Sequence, residues 1–133
     1  LIVDTLAQAK STVLVQAYSF TSAAIAEALV DAHRRGVKVE VVLDDGQRTA
    51  QGSKAGFVAQ AGVPVYFDGA HAIAHNKTMV VDAETVITGS FNFTESAEER
   101  NAENLVVIRS RELAAKYAAN WQQHQAHSSL HTP

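Results

Sequence analysis

The sequence predicts an α/β domain, a mixed, mostly parallel β-sheet flanked by helices, in one unit over residues 1–133. Three observations predict it. In the first half, β-branched apolar runs alternate with amphipathic stretches, giving strand, helix, strand, helix, strand. In the second half, two apolar runs stand so close together that they read as a hairpin. The size and composition, 133 residues with 47% hydrophobic and 19% charged, suit one domain with a real core and exclude disorder.

Each element has its own signal. Residues 1–10 (LIVDTLAQAK) read as a short helix or helix end. Residues 12–18 (TVLVQAY) read as a buried strand. Ser22 or Thr21 caps a helix to about Arg35, with Ile25, Leu29 and Ala32 at helical spacing and Gly36 as its stop. Residues 37–43 (VKVEVVL) form a second strand, running into Asp44-Asp45-Gly46. A helix over 53–61 ends at Gly62, and 63–67 is a short strand. This alternation implies parallel strands joined by crossovers. The hairpin strands are 77–82 and 85–90, followed by a strand over 103–109 and a helix over 110–125 carrying Leu113, Tyr117 and Trp121. No linker, low-complexity tract or internal repeat interrupts the pattern.

Composition removes several chemistries. Without cysteine there is no disulfide, thiolate zinc site or cysteine nucleophile. A net charge of -3 gives no whole-protein attraction to nucleic acid or an anionic membrane. No apolar run approaches the ~20 residues that span a bilayer. The chain begins at Leu1; a signal peptide cleaved upstream of it would make this an exported protein, periplasmic or secreted.

The chemistry concentrates in His75-Asn76-Lys77, Asp82 and Gly89-Ser90-Phe91-Asn92. Strand side chains alternate faces, so His75 and Lys77 share one and Asp82 takes the other. A two-residue turn at Ala83-Glu84 would set Lys77 across from Ser90 and His75 across from Asn92. Lysine suits phosphate oxygens, serine and asparagine add neutral donors, and Gly89 lets a ligand approach the backbone. Histidine attacks phosphorus as imidazole or donates a proton as imidazolium. Its remote nitrogen needs an acceptor; Glu103 and Asp82 are the candidates, and parity disfavours Asp82.

These residues resemble the signature of the phospholipase D superfamily, His-x-Lys-x4-Asp, six residues, then Gly-Ser-x-Asn. His75, Lys77, Asp82, Gly89, Ser90 and Asn92 match every defined position. The single-motif form is most similar to the family's small bacterial endonucleases. The family uses two motifs per active site and this chain has one, so the resemblance implies a homodimer with a shared site at its axis. It further implies that one His75 forms a phosphohistidine while the other protonates the leaving oxygen. Lys77 and Asn92 hold the nonbridging oxygens, Ser90 supports them, Glu103 orients the histidine, and Asp82 is structural. No metal or other cofactor is implied.

Nucleic acid, DNA or RNA, is the expected substrate, without sequence specificity or stable membrane association. Lys54, Arg48, His71 and Arg100 are candidates to line a groove. The alternatives are a hydrolase of phospholipid head groups and a catalytically idle phosphate-binding dimer. His124, His127 and His131, at spacings of three and four, read as a solvated tail rather than a metal site. His33 reads as solvated, and Trp121 and Tyr117 as packing or dimer contacts. Thr94 and Ser96, ahead of Glu98 and Glu99, read as helix caps.

Overall fold

The β-branched and apolar runs become a seven-stranded sheet among the described residues, in the order β6-β5-β4-β1-β2-β3-β7. The computed structural model describes residues 2–17, 20, 22–44, 53–68, 78–89, 105–126 and 128–130. The strands are β1 (Thr12–Ala17), β2 (Lys38–Asp44), β3 (Val65–Asp68), β4 (Thr78–Val81), β5 (Thr85–Gly89), β6 (Leu105–Arg109) and β7 (Ser128–Leu130). The helices are α1 (Ile2–Ala7), α2 (Ala23–Arg34), α3 (Ala55–Gln60) and α4 (Arg111–Ala126).

The sheet is mixed, as expected. Parallel pairing holds for β1–β2 and β2–β3, where helical crossovers intervene. The pairs β1–β4, β4–β5, β5–β6 and β3–β7 are antiparallel. The mostly parallel character is thus confined to the first three strands. The tail also contributes β7, which its three residues, Ser-Ser-Leu, do not announce by periodicity.

Register sorts the side chains by parity. Odd-numbered strand residues such as Val13, Val15, Val41, Phe67, Met79 and Ile87 face α1, α2 and α3 in the main core. Even-numbered Val80 and Val86 face α4, packing with Ala114, Leu113 and Tyr117. Full burial of each large apolar side chain contributes roughly 1.5–3 kcal/mol.

The helices are placed by local chemistry. Ser22 caps α2, its hydroxyl accepting from the Ile25 N–H at 3.2 Å. Gly36 follows α2 at φ +99° and Gly62 follows α3 at φ +103°, a region that favours glycine. The Arg35 guanidinium donates to the Leu6 and Ala9 carbonyls at 3.1 and 3.0 Å, satisfying the end of α1. On the other face, Trp121 Nε1 donates to the Val15 carbonyl at 2.8 Å, which pins α4 across the sheet. His33, read as solvated, is half-buried and sits against Gly62.

Candidate active site

The sheet has two unlike edges. At one, β1, β2 and β3 end at Ala17, Asp44 and Asp68. Because β4 runs antiparallel to β1 with Thr78 opposite Gln16, β4 begins at that same edge. Thr78 pairs with Thr88, so β5 ends there at Gly89, and Leu105 opposite Gly89 starts β6 there. His75 and Lys77 belong to the segment that enters β4, Ser90 and Asn92 to the segment that leaves β5, and Glu103 to the segment that enters β6. All five residues lie outside the described residues, but the described ends of their segments meet at one sheet edge. Of the groove candidates, Lys54 precedes α3, while Arg48, His71 and Arg100 lie outside the described residues, as do Thr94 and Ser96.

The hairpin register corrects one expectation. Val81 pairs with Thr85, where a two-residue turn at Ala83-Glu84 would have paired it with Val86. The turn spans 81–84, with the Glu84 N–H donating to the Val81 carbonyl at 3.1 Å. Its central residues are Asp82 and Ala83, both at positive φ (55° and 56°), the pattern of a type I′ turn. Glu84 is then the extra residue, its carbonyl taken by the Ser110 N–H. This shifts the pairing by one residue, so the expected alignment of Lys77 with Ser90 and His75 with Asn92 does not follow from the strand register.

Asp82 sits at the opposite edge, beyond the far end of β4. Its carboxylate accepts from the backbone N–H groups of Lys10 (3.0 Å), Ser11 (2.7 Å) and Thr12 (3.2 Å), and from the Ser11 hydroxyl (3.2 Å). Burial pushes this carboxyl up, but the hydrogen bonds from Ser11, Lys10 and Thr12 outweigh it and hold its pKa below the ordinary value. β4 places Asp82 about 14 Å from Thr78, at about 3.4 Å per residue. Its oxygens bind the α1–β1 connection and the first residue of β1.

The edge next to the motif segments holds polar groups that the sequence reading passed over. Gln16 on β1 is 4% exposed, and its Oε1 has no hydrogen-bond partner among the described residues. Its neighbour Thr78 is also buried. Asp68 and His124 are both buried, and the His124 Nδ1–H donates to Asp68 Oδ2 at 2.6 Å. His124 is therefore not part of a solvated tail; His127 and His131 lie outside the described residues. A sequence signal existed, because His124 stands three residues after Trp121 and seven after Tyr117, on the buried stripe of α4.

Comparison with known proteins agrees with this architecture. Residues 2–125 match the family model described as cardiolipin synthase, PLD-like domain. A phospholipase D from Rickettsia typhi is 42% identical over 130 residues, covering 98% of this chain and 64% of its own length. A mitochondrial cardiolipin hydrolase from Xenopus tropicalis is 36% identical over 100 residues, covering 75% of this chain and 48% of its own. This chain thus spans less than two thirds of these curated relatives. Among solved structures, Nuc from Salmonella typhimurium, a phospholipase D family member, superposes with a TM-score of 0.93 at 38% identity. That match covers 99% of this chain and 89% of Nuc. Motif, fold and likeness converge, and the chain belongs to the phospholipase D superfamily.

Proposed function

We propose that this chain is a metal-independent phosphodiesterase that cleaves DNA or RNA without sequence specificity, at a site completed by a second copy of itself. The observation that carries the reading is the convergence at one sheet edge of the segments bearing His75, Lys77, Ser90, Asn92 and Glu103. The chain has a single His-x-Lys, so a two-fold pair of copies supplies the two histidines the chemistry needs.

The reaction has two steps. A ring nitrogen of His75 attacks phosphorus, forming the N–P bond as the P–O bond to the leaving group breaks. His75 of the second copy gives that oxygen its proton. Water then attacks the phosphohistidine, losing its proton to the same second histidine, and the N–P bond breaks to restore His75. Lys77 and Asn92 from both copies hold the nonbridging oxygens, where charge redistributes in the transition state. Ser90 supports them, Gly89 gives the phosphate room, and Glu103 accepts from the remote nitrogen of His75.

A second reading, hydrolysis of phospholipid head groups, is favoured by the names of the relatives from Rickettsia and Xenopus. Nucleic acid is preferred because the chain carries the single-motif form that resembles the family's small bacterial endonucleases. Among the described residues, the exposed large apolar side chains are Phe57, Val106 and Leu130, on α3, β6 and β7. No described helix is long and apolar enough to cross a membrane.

The test uses plasmid DNA, RNA and cardiolipin vesicles in excess chelator, with His75→Ala alongside. Chelator-resistant cleavage of nucleic acid that the variant loses is the expected result. Intact nucleic acid with hydrolysed lipid selects the second reading, and activity in His75→Ala overturns both. Mass measurement under assay conditions checks the pairing; a fully active monomer overturns it.

A further inference from the structure

We propose that Asp68 and His124 form a positioning pair for the active-site histidine, acting through the chain that joins β3 to β4. The proposal rests on the reading of His75 as the nucleophile.

The pair itself asks for an explanation. Its side chains are 5% and 11% exposed, and its hydrogen bond is 2.6 Å. Withdrawing a carboxylate and an imidazole from water is costly, and a partner at close range offsets the cost without reliably adding net stability. Two apolar side chains would fill the same space more simply. A polar pair placed there points to a role that depends on direction, which a hydrogen bond supplies and an apolar contact does not.

Placement gives the direction. Asp68 is the last residue of β3, and residues 69–77 lead from it to Thr78, the first residue of β4. Two strands, β2 and β1, stand between β3 and β4. Three inter-strand steps of about 4.8 Å separate the ends of this connection by roughly 14 Å. That gap is wider than a tight turn closes. His75 and Lys77 stand in its last three residues. The position of His75 therefore depends on how firmly the two ends are held.

The β4 end is held by sheet pairing, Thr78 between Gln16 and Thr88. The β3 end is held by a three-element knot. His124 in the last turn of α4 donates to Asp68, the Ser128 hydroxyl donates to the His124 carbonyl at 2.6 Å, and Ser128 pairs with Asp68 through β7. The knot is fixed in turn by Trp121, one turn earlier on α4, bonded to the Val15 carbonyl. An imidazole Nδ1–H aimed at the carboxylate fixes the side chain that ends β3, and with it the point from which the nine-residue connection departs.

The test compares His124→Leu, which removes the donor, with His124→Asn, whose Nδ2 amide stands near the place of Nδ1 and still donates. Both are assayed for kcat and KM on nucleic acid, at a temperature where circular dichroism shows them folded. Misplacement of a reacting group by a fraction of an ångström to 1 Å costs on the order of 10- to 100-fold. His124→Leu is expected to lose that much in kcat with KM nearly unchanged, and His124→Asn to recover most of it. If His124→Leu does not fold, His124→Gln replaces it, offering no donor at the Nδ1 place. Wild-type kcat in the folded Leu or Gln variant overturns the proposal. Equal loss in the Asn variant also does, because the imidazole rather than the tether would then matter. A second readout is independent of turnover: the His75 ring resonances should move in the Leu variant and return in the Asn variant. If wild type cleaves no phosphodiester, the proposed function fails. Unmoved His75 resonances then overturn the positioning pair separately.

Discussion

Replacing Asp82 tests whether this motif residue is a stabiliser of the sheet edge away from the chemistry. Its carboxylate holds three backbone N–H groups and one hydroxyl. A hydrogen bond to a charged group contributes roughly 1.5–3 kcal/mol when its loss leaves a buried partner unsatisfied. Lys10 and Ser11 are exposed, so water takes over their donors in the variant; only Thr12 is partly buried. Asp82→Ala should therefore cost the value of one such bond, about 2 kcal/mol, rather than of three. The left-handed backbone at φ 55° adds up to about 1 kcal/mol for alanine, since Asp and Asn tolerate it better. Asp82→Asn keeps the backbone tolerance and one acceptor oxygen and should cost about 1 kcal/mol.

The charge leaves its own signature in pH. The folded-state pKa of Asp82 is lowered from 3.8, so its contribution is fully present above that value and is lost as pH falls through the folded pKa. In urea unfolding followed by circular dichroism, the gap between wild type and Asp82→Asn should stay constant from about pH 7 to pH 5 and close below about pH 4. At about 3–5 °C per kcal/mol for a chain of this size, the neutral-pH gap is also visible as Tm. A gap that persists unchanged at pH 3, or an Asn variant as stable as wild type at pH 7, would refute the assignment.

Three further substitutions probe single features. Ala83 shares the turn at φ 56° on an exposed site, so Ala83→Gly should raise stability by about 0.5–1 kcal/mol; an unchanged or lower Tm counts against the turn geometry. At Gly62, φ +103° disfavours any side chain and a Cβ would stand 2.8 Å from His33 Nε2, so Gly62→Ala should cost about 1–2 kcal/mol. A His33→Ala background should recover only the steric part, and full recovery would show that backbone conformation contributes nothing. Trp121→Phe keeps a ring beside Tyr66, now 6.4 Å away and edge-on, but removes the donor to Val15; a loss of about 1–3 kcal/mol in urea midpoints is expected, and none would place the bond outside the energetics.

What the sequence made legible was what depends on near neighbours. Strands β1 and β2 follow from β-branched runs, and α2 from a serine at its start and a glycine after its end. The hairpin register was hidden because its turn is chosen by a distant contact. Ala83-Glu84 and Asp82-Ala83 are both poor turn pairs by propensity, and the carboxylate's bonds to residues 10–12, some 70 positions away, favour the second. His124 was hidden for a similar reason. Its helical spacing from Trp121 pointed inward, but only the end of β3 supplies the acceptor that makes a buried histidine acceptable. The site residues were legible as a motif by their chemistry and spacing, while their mutual geometry depends on segments outside the described residues.

The spacing of the motif has a structural reason. Four residues separate Lys77 from Asp82, and those four are β4, all buried. Six separate Asp82 from Gly89, and they comprise the rest of the turn and most of β5 on its way back. The motif thus measures the sheet once outward and once in return. The described ends of β4 and β5 that adjoin the motif segments stand at one edge, and Asp82 stands where the chain reverses, tied to the connection before β1. Deleting one residue from β4 would move Lys77 to the other parity while Asp82 held its place, so the strand would have to choose between its buried face and its anchor. An acid at this position therefore needs no part in the reaction to belong to the signature. It sets the phase of the strand that follows Lys77 in sequence.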